Sequence, residues 1–555
     1  MRSSPSADAV APPAWKPLAT LRRPGRVLST LLTVAALALV VLAQSYYAGA
    51  FSAELSSTHS DEASHYVTAL LVRDYLLSGF SQNPIAFAQD FYLHYPKVAL
   101  GQWPPAFYAL AGSWMLLAGT GLVAALTLTA LLSGALAALT LATARTSLGV
   151  AGATLLAILF LNLPLVRMNT QMFMTDVPVA LLTLAATLAY AQYLASLRWQ
   201  WSGLFGLLAA GALLTKGSGG CLTLLPPLAL LLGGRFQLLR RPSFWLPLPI
   251  VAMVAVPWYA ATLTMTQGSF IYEWGLAYVA MALPADAAIL TDEMGPLLAL
   301  SLLGVAVSVR AAWRRLPGAE IGVALSALLL GVYLFQSIVP AAIEPRYLMQ
   351  AAAPALLLAA IGTSALMEFV LARRLAGRPA APILATTLLV ILAAPLMLRP
   401  TVKPELGFQA AVRDALAAGD TGPIILAGAS APGEGSVVSA VALADPQRRW
   451  YVARGMKLLA TSSWTGAQYQ TRYPDAEAVA AHLDEIGVGL LILDTAPDSQ
   501  KWKHNRQLLQ AMQIHPGEWR LLAAHGTVKL YRRNNAVAPN LELLRQETVS
   551  GKQLS

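Results

Sequence analysis

Two adjacent carboxylates stand in the stretch SSTHSDEASHYVTALLVRDYL, directly after the first long apolar run of the chain. Asp61 and Glu62 are flanked by His59 and His65. A carboxylate can take a proton from a hydroxyl group and so act as a general base. The apolar periodicity that follows predicts a helix capped by Ser60, and acidic residues are favoured in the first turn of any helix. The pair is therefore consistent with a catalytic role and with a simple helix start.

Six further residues have side chains that could take part in chemistry, and Asp176, Lys216 and Arg346 among them stand, like Asp61, at the ends of apolar runs. Ionisable groups in such places cost free energy, on the order of 2.5–3.5 kcal/mol at a helix centre, which makes them candidates for function. Cations can hold a phosphate and stabilise it as a leaving group. Burial at a membrane boundary raises the pKa of a carboxyl group, so we expect a raised pKa for Asp61. The six are His94 and Lys97 in FYLHYPKVALGQWPPAFYAL, Asp176 in RMNTQMFMTDVP, Lys216 in TKG, and Arg346 with Tyr347 in EPRY.

Each of these residues also has a purely structural interpretation. Asp176 could cap the helix that follows it. Lys216 could extend from a short helix end to the membrane interface. Arg346 could pair with Glu344 in an exposed loop. The histidine and lysine of FYLHYPK could simply anchor the chain at the interface.

The elements that must position these side chains are membrane helices. The 555 residues are 56% hydrophobic and 12% charged, whereas soluble proteins carry about 25% charged residues. Many apolar runs are long enough to cross a hydrocarbon core about 30 Å thick. The net charge of +10 does not indicate a nucleic-acid partner, because the arginines cluster in short loops between spans. The predicted spans are 27–49, 104–119, 121–143, 149–165, 177–196, 203–215, 220–233, 244–264, 295–311, 319–339, 347–371 and 381–398.

The positive-inside rule gives an orientation for these spans. It predicts a cytoplasmic N-terminal tail, residues 1–26, and outward-facing segments at 51–103, at 265–294 and at the AAIEPRY loop. We interpret 265–294 mainly as solvated surface. An external C-terminus requires an odd number of crossings, so 27–399 would contain eleven or thirteen, although the first span could also be a signal peptide. The arginines that set this orientation are Arg22, Arg23, Arg26, Arg235, Arg240, Arg241, Arg310, Arg314, Arg315, Arg373, Arg374 and Arg378.

Residues 400–555 have a different character from the spans. Short β-like runs occur at PIILAGA, RRWYVA, GLLILD, WRLLAA and TVKLYRR, with amphipathic stretches such as DAEAVAAHLDEIG and KWKHNRQLLQAMQ between them. This alternation predicts a small extracytoplasmic α/β domain with a mainly parallel sheet. We find no glycine-rich phosphate loop and expect no nucleotide site. Cys221 is the single cysteine, so an intramolecular disulfide is excluded.

Several motifs occur in an order that resembles glycosyltransferase family 39. They are the DE pair after the first span, the doublet Pro104–Pro105 at the second, TKG, and the late PRY. This family includes protein O-mannosyltransferases and bacterial aminoarabinose transferases, which are GT-C enzymes that take a sugar from a polyprenyl-phosphate donor. The resemblance covers roughly residues 27–400. It implies a polytopic α-helical membrane protein with a GT-C-like fold.

The resemblance also implies roles for individual residues. Asp61 matches the family's outer-loop aspartate, which acts as the catalytic base on the acceptor or lies against the reacting centre, and Glu62 matches its neighbour. Arg346 and Tyr347 match positions near the donor phosphate, where Lys97 could join them. Lys216 and His94 would be accessory residues. Asp176 would be a second acidic residue near the same cavity. Aminoarabinose transferases carry Glu-Lys directly before the proline doublet, and this chain has Gln102–Trp103 there, which leaves dependence on a divalent metal open.

These observations together predict a multi-pass glycosyltransferase of the cytoplasmic (inner) membrane. Its partners would be a polyprenyl-phosphate-linked sugar donor, the membrane, and a lipid, glycan or protein acceptor on the outer face, and transfer would invert the sugar. The alternative is a membrane transporter or lipid flippase. A scaffold that displays the C-terminal domain is a third interpretation, which leaves the carboxylates and PRY unexplained.

Overall fold

The structure is a computed structural model. It describes residues 24–372, 381–418, 422–462, 468–535 and 537–549. Several arginines on which the predicted orientation depends lie outside the described residues, and the N-terminal tail lies almost wholly outside them. These arginines are Arg22, Arg23, Arg373, Arg374 and Arg378.

The described chain up to residue 397 is mostly helical. Three short 3-10 helices, Gly217–Thr223, Phe236–Arg240 and Pro345–Leu348, stand between the α-helices of this described part. The α-helices are α1 (Pro24–Tyr47), α2 (Asp61–Leu77), α3 (Pro84–His94), α4 (Ala106–Ala118), α5 (Leu122–Asn162), α6 (Pro164–Thr170), α7 (Asp176–Ser196), α8 (Trp199–Thr215), α9 (Leu225–Gly233), α10 (Pro242–Trp245), α11 (Pro247–Val254), α12 (Val256–Ala261), α13 (Leu263–Gln267), α14 (Leu276–Met294), α15 (Pro296–Trp313), α16 (Ala319–Ile338), α17 (Met349–Ala372) and α18 (Ala381–Met397).

Six helical stretches in the described part of the chain are long and apolar enough to cross a membrane, by length and composition. Shorter apolar helices, such as Ala106–Ala118 and Pro382–Met397, accompany them. The prediction of a polytopic membrane protein is confirmed, while the number of crossings and their orientation stay predictions. The six stretches are Val27–Tyr47, Leu122–Asn162, Asp176–Ser196, Pro296–Trp313, Ala319–Ile338 and Pro345–Val370.

Two predicted segments differ from the structure. The span predicted at 244–264 is divided into the short helices α10 to α13, because proline in a helix interior removes a hydrogen bond and clashes with the preceding turn. Residues 265–294 are not a loop throughout, because α14 occupies most of them, although most of their side chains are at least partly exposed. Tyr278, Leu290 and Met294 recur at multiples of four and are buried on one face, a helical pattern that the acidic residues nearby obscured.

Small residues allow the membrane helices to approach closely. Helices α15 and α17 meet at Gly304 and Gly362, and a Cβ atom on Gly304 would overlap the carbonyl oxygen of Leu358. Close backbone approach through glycine is a common way for helices to associate where no water drives them together. This pair of helices lies beside the turn that carries Arg346.

The C-terminal domain, residues 400–555, is an α/β unit as predicted. All five β-like runs form strands, and both amphipathic stretches form helices. The strands are β1 (Ile424–Gly428), β2 (Tyr451–Arg454), β3 (Ala460–Thr461), β4 (Gln470–Thr471), β5 (Leu490–Asp494), β6 (Trp519–His525) and β7 (Val528–Arg533). The helices are α19 (Phe408–Ala417), α20 (Ala431–Ala444), α21 (Gly455–Leu458), α22 (Ala476–Ile486), α23 (Pro497–Gln500), α24 (Lys503–Ile514) and α25 (Leu541–Thr548).

The sheet is mixed, with strand order β2-β1-β5-β7-β6. Strand β1 pairs in parallel with β2 and β5, but β7 is antiparallel to both β5 and β6. Only Gly526 and Thr527 separate β6 from β7, and so short a connection permits only an antiparallel hairpin. The prediction of a mainly parallel sheet is therefore wrong for this half of it.

The C-terminal domain shares a hydrophobic core with the segment 51–103. Leu55, Tyr66 and Phe91 of that segment are buried together with Ile425 and Val437 of the domain. Polar contacts reinforce the joint, since the hydroxyl of Tyr95 donates to the carbonyl of Asp445 (2.6 Å) and Ser436 donates to the carbonyl of Leu55 (3.0 Å). This shared core holds the domain directly over the start of α2.

Candidate active site

A cavity of about 750 Å³ lies between the membrane helices, the segment 51–103 and the C-terminal domain. Chain segments far apart in sequence contribute charged groups to its wall. Five residues predicted from the sequence line it, namely Asp61, Lys97, Lys216, Arg346 and Tyr347. The structure therefore brings most of the predicted site together.

Asp61 is the first residue of α2 and faces this cavity. The Nη2 of Arg346 donates to its Oδ2 at 2.9 Å, and its own N–H donates to Nδ1 of His59 at 3.2 Å. Ser60 precedes the helix as predicted but makes no capping hydrogen bond. Ser56 fills that role, because its Oγ accepts from the N–H of Ala63 at 2.9 Å.

The pKa of Asp61 corrects one prediction. Burial alone would raise the pKa of this carboxyl group, but the positive charge of Arg346, with smaller contributions from His59, His65 and Lys97, lowers it below its usual range. The expected raised pKa is wrong, because nearby cations outweigh the loss of solvent. Asp61 is therefore ionised at neutral pH.

Arg346 lies in the turn before α17 and is 6% exposed. Its Nε donates to Oε2 of Glu344 at 2.6 Å while its Nη2 contacts Asp61. Pairing with Glu344 was anticipated, but in an exposed loop, whereas the guanidinium is buried. The ring of Tyr347 lies beside it, with its centroid 4.9 Å from the guanidinium carbon. One guanidinium thus joins the turn that carries PRY to the start of α2.

Lys216 and Asp176 form a buried ion pair behind this contact. The Nζ of Lys216 lies 2.5 Å from Oδ1 of Asp176, and both side chains are at most 5% exposed. The side chain of Lys216 is therefore enclosed in an ion pair. Its Nζ also lies 4.4 Å from the centroid of the Tyr347 ring, so the lysine of this ion pair contacts the tyrosine as well.

Glu62 points away from the cavity. Both of its carboxylate oxygens accept from Nζ of Lys403, at 2.6 and 2.8 Å, and they also accept from the N–H groups of Ser56 and Phe173. Glu62 and Lys403 are fully buried. Glu62 therefore connects α2 to the start of the C-terminal domain through its ion pair with Lys403. Of the two adjacent carboxylates, only Asp61 lines the cavity.

His94 does not reach the cavity either. Its Nδ1 lies 2.9 Å from the carbonyl of Trp450, and its ring stacks on Tyr451 with centroids 4.2 Å apart. The predicted accessory role at the site is therefore not supported by its position. His65 is buried beside Trp103 and contacts the hydroxyl of Tyr108 at 2.8 Å, and burial lowers the pKa of His65 to about 3.

Comparison with known proteins gives a consistent result. The family model described as dolichyl-phosphate-mannose-protein mannosyltransferase matches residues 102–260. The crystal structure of ArnT from Cupriavidus metallidurans bound to undecaprenyl phosphate aligns with a TM-score of 0.53, at 13% identity over 91% of this chain and 98% of that chain. The apo state of that protein aligns with a TM-score of 0.57 at 15% identity. This chain has the GT-C fold.

A second GT-C protein shares this architecture. The archaeal oligosaccharyltransferase AglB from Archaeoglobus fulgidus, in complex with an inhibitory peptide and a dolichol-phosphate, aligns with a TM-score of 0.51 at 12% identity, over 87% of this chain and 71% of that chain. No curated protein sequence matches this chain. The resemblance to family 39 and its GT-C fold, drawn from ordered short motifs, is confirmed.

The side chains that the structure describes around this cavity do not form a site that fits a divalent metal. Among the described residues, no three His, Cys, Asp or Glu side chains converge on one point. The two carboxylates that line the cavity, Asp61 and Glu344, are both engaged by Arg346. Gln102 and Trp103, which replace the Glu-Lys pair, also line the cavity and offer no carboxylate. We therefore derive no step through a metal.

Residues of the C-terminal domain complete the cavity wall, and sequence reasoning missed them. Arg454, Lys457 and Trp502 line it together with Arg346. Arg454 ends the parallel strand β2, and ligands of open α/β sheets bind at the carboxyl ends of parallel strands. That rule, applied to the run RRWYVARGMK, is the signal that would have found the two cations.

Proposed function

We propose that this protein is a membrane glycosyltransferase that moves a sugar from a polyprenyl-phosphate donor to an acceptor on the outer face of the cytoplasmic membrane, with inversion. The contact of Asp61 with Arg346 in a cavity large enough for a substrate is the observation that carries this proposal. The similarity in fold to ArnT bound to undecaprenyl phosphate supports the class of donor. The acceptor would be a lipid, a glycan or a protein.

The two ends of the donor need different surroundings, and the cavity offers both. Leu213, Phe335 and Val339 form an apolar part of its wall, which suits a polyprenyl chain. Arg346, Tyr347 and Lys97 would hold the phosphate. The anomeric carbon would then lie between these groups and Asp61.

Transfer would be a single displacement. The oxygen of the acceptor hydroxyl attacks the anomeric carbon, and the bond from that carbon to the phosphate oxygen breaks on the opposite face. The electron pair leaves with polyprenyl phosphate, whose added negative charge the cations stabilise. The hydroxyl proton passes to Asp61, and the sugar is inverted because one displacement occurs.

Donor binding would also prepare the base. A phosphate that binds the guanidinium of Arg346 neutralises the charge that keeps the pKa of Asp61 low. Burial then dominates and raises the pKa of this carboxyl group. A base of higher pKa accepts a proton more readily, so Asp61 would gain basicity when the donor is in place.

The test uses purified full-length protein in lipid nanodiscs. Polyprenyl-phosphate mannose and polyprenyl-phosphate aminoarabinose are supplied in turn with a membrane extract as the acceptor source, and released polyprenyl phosphate is measured by mass spectrometry. Asp61→Asn should lower the rate on the order of a hundredfold or more, as expected for loss of a general base. Asp90→Asn, at an exposed position of α3, should leave it unchanged.

Two results would overturn the proposal. Full activity of the Asp61→Asn variant would show that Asp61 is not the general base. Wild-type protein that releases no polyprenyl phosphate from either donor, but moves lipid across vesicle membranes, would instead identify a transporter.

A further inference from the structure

A second group of cations faces the cavity from the side of the C-terminal domain. It consists of Lys97, Arg454 and Lys457, which we call the roof cluster. Nε of Arg454 donates to Oε2 of Glu434 at 2.8 Å, and its Nη1 lies 3.4 Å from the carbonyl of Pro96. Glu434 is fully buried and is the one carboxylate in direct contact with the cluster within the described chain.

The two lysines of the roof cluster have no partners of their own. Lys97 is only 8% exposed, yet its Nζ makes no hydrogen bond or ion pair with any described residue. Lys457 is likewise unpaired within the described ranges. Burial lowers the pKa of Lys97 to about 7 and that of Lys457 to about 8. A buried unpaired cation such as Lys97 is costly, so an anion that enters the cavity would be stabilised here.

The charge balance differs between the two ends of the cavity. At the Arg346 end, Asp61 and Glu344 already neutralise the guanidinium. At the roof, only Glu434 among the described carboxylates directly contacts the three cations, through Arg454. The excess positive charge of the cavity therefore lies on the side of the C-terminal domain.

The fold explains why these groups converge. Arg454 ends β2, Ala431 begins the helix that follows β1, and Trp502 follows β5. All three residues line the cavity. The carboxyl ends of the three parallel strands thus open into it, at the edge where α/β sheets bind ligands.

We infer that Lys97, Arg454 and Lys457 form an anion-binding site for a phosphate group, so that the C-terminal domain takes part directly in substrate binding. The inference rests on the proposed function in treating this cavity as the reaction site. The phosphate would come either from the lipid donor or from a second, water-soluble or acceptor-borne group. Both sources share the chemistry that the three cations recognise.

Lysine-to-glutamine variants test the site, because neither lysine leaves a carboxylate unpaired. Purified full-length wild-type, Lys97→Gln and Lys457→Gln proteins are titrated with undecaprenyl phosphate, and separately with inorganic phosphate in the presence of saturating undecaprenyl phosphate. The fluorescence of the tryptophans that line the cavity reports binding. Lys501→Gln, an exposed lysine of the same domain, is the matched control, and Lys457→Arg should restore binding.

Each result has a definite meaning. Weakening of undecaprenyl phosphate binding by about tenfold, the effect of losing one charge-assisted contact, assigns the site to the donor. Unchanged lipid binding with phosphate binding weakened about tenfold assigns it to a second group. If both probes bind both variants as they bind wild type, the inference is wrong. Binding requires no sugar transfer, so this failure is distinct from failure of the proposed transferase activity.

Discussion

Asp61 and Glu62 are adjacent in sequence but have opposite roles in the structure. Asp61 faces the cavity and contacts Arg346, which a donor phosphate could bind. Glu62 is buried in an ion pair with Lys403. Helical geometry turns neighbouring side chains by about a quarter of a turn or more, so one of the two necessarily faces elsewhere. A test that treats them as a pair would therefore confuse catalysis with stability.

Glu62→Gln should destabilise the protein without removing the base. It leaves the ammonium of Lys403 buried and unpaired, and breaking a buried pair in this way costs about 3–5 kcal/mol. Thermal unfolding of the purified protein in detergent should show a clearly lower midpoint than wild type. The double variant Glu62→Gln/Lys403→Met, which removes both charges, should recover part of this loss. A normal midpoint for Glu62→Gln would contradict the structural role.

Lys97 should make donor use depend on pH. Arg454, Asp61, Glu434 and Lys457 face it, and burial lowers its pKa to about 7. The lysine is charged below this pH and neutral above it, so kcat/KM for an anionic donor should fall by about tenfold as the pH rises through 7. Lys97→Arg stays charged, and its decline should move to higher pH. An unchanged profile in that variant would exclude Lys97 from donor binding.

At the scale of elements, the position of Arg346 depends on the packing of α15 against α17. Gly304 and Gly362 let the two backbones touch, and a side chain on either glycine would collide with the facing helix. The turn that carries Arg346 leads directly into α17. Any displacement of this helix therefore changes the distance between Arg346 and Asp61.

Gly304→Val should consequently lower both stability and activity. Overpacking of a tight interface typically costs about 1–3 kcal/mol, and the misplaced guanidinium should reduce the rate in the protein that remains folded. Gly211→Ala is a matched control, because a Cβ atom there would meet only ordinary contact, at 4.0 Å from Cδ1 of Leu182. Both variants are compared by unfolding midpoint and by release of polyprenyl phosphate. Equal behaviour of the two would show that this interface is not essential.

At the scale of the whole molecule, local patterns predicted elements well and contacts poorly. The strands of the C-terminal domain are short apolar runs between turn formers, so composition alone located them. The contact of Arg346 with Asp61 joins residues 285 positions apart, and only the family resemblance placed these two residues in one site. Lys403, Arg454 and Lys457 carried no such motif. The predicted shift in the pKa of Asp61 was wrong for the same reason, because the direction of the shift depends on which cations the fold brings near this carboxyl group.

The orientation of the molecule gives the last prediction. The positive-inside rule places the loop of Arg240 in the cytoplasm and the C-terminal domain, with Lys501, outside. Both side chains are exposed, while Cys221, the only native thiol, is fully buried and should remain unlabelled. In intact spheroplasts, a membrane-impermeant maleimide should therefore modify Lys501→Cys and leave Arg240→Cys unmodified until the membrane is permeabilised. The reverse labelling would place the cavity on the cytoplasmic face, where the outward acceptor of the proposed reaction could not reach Asp61.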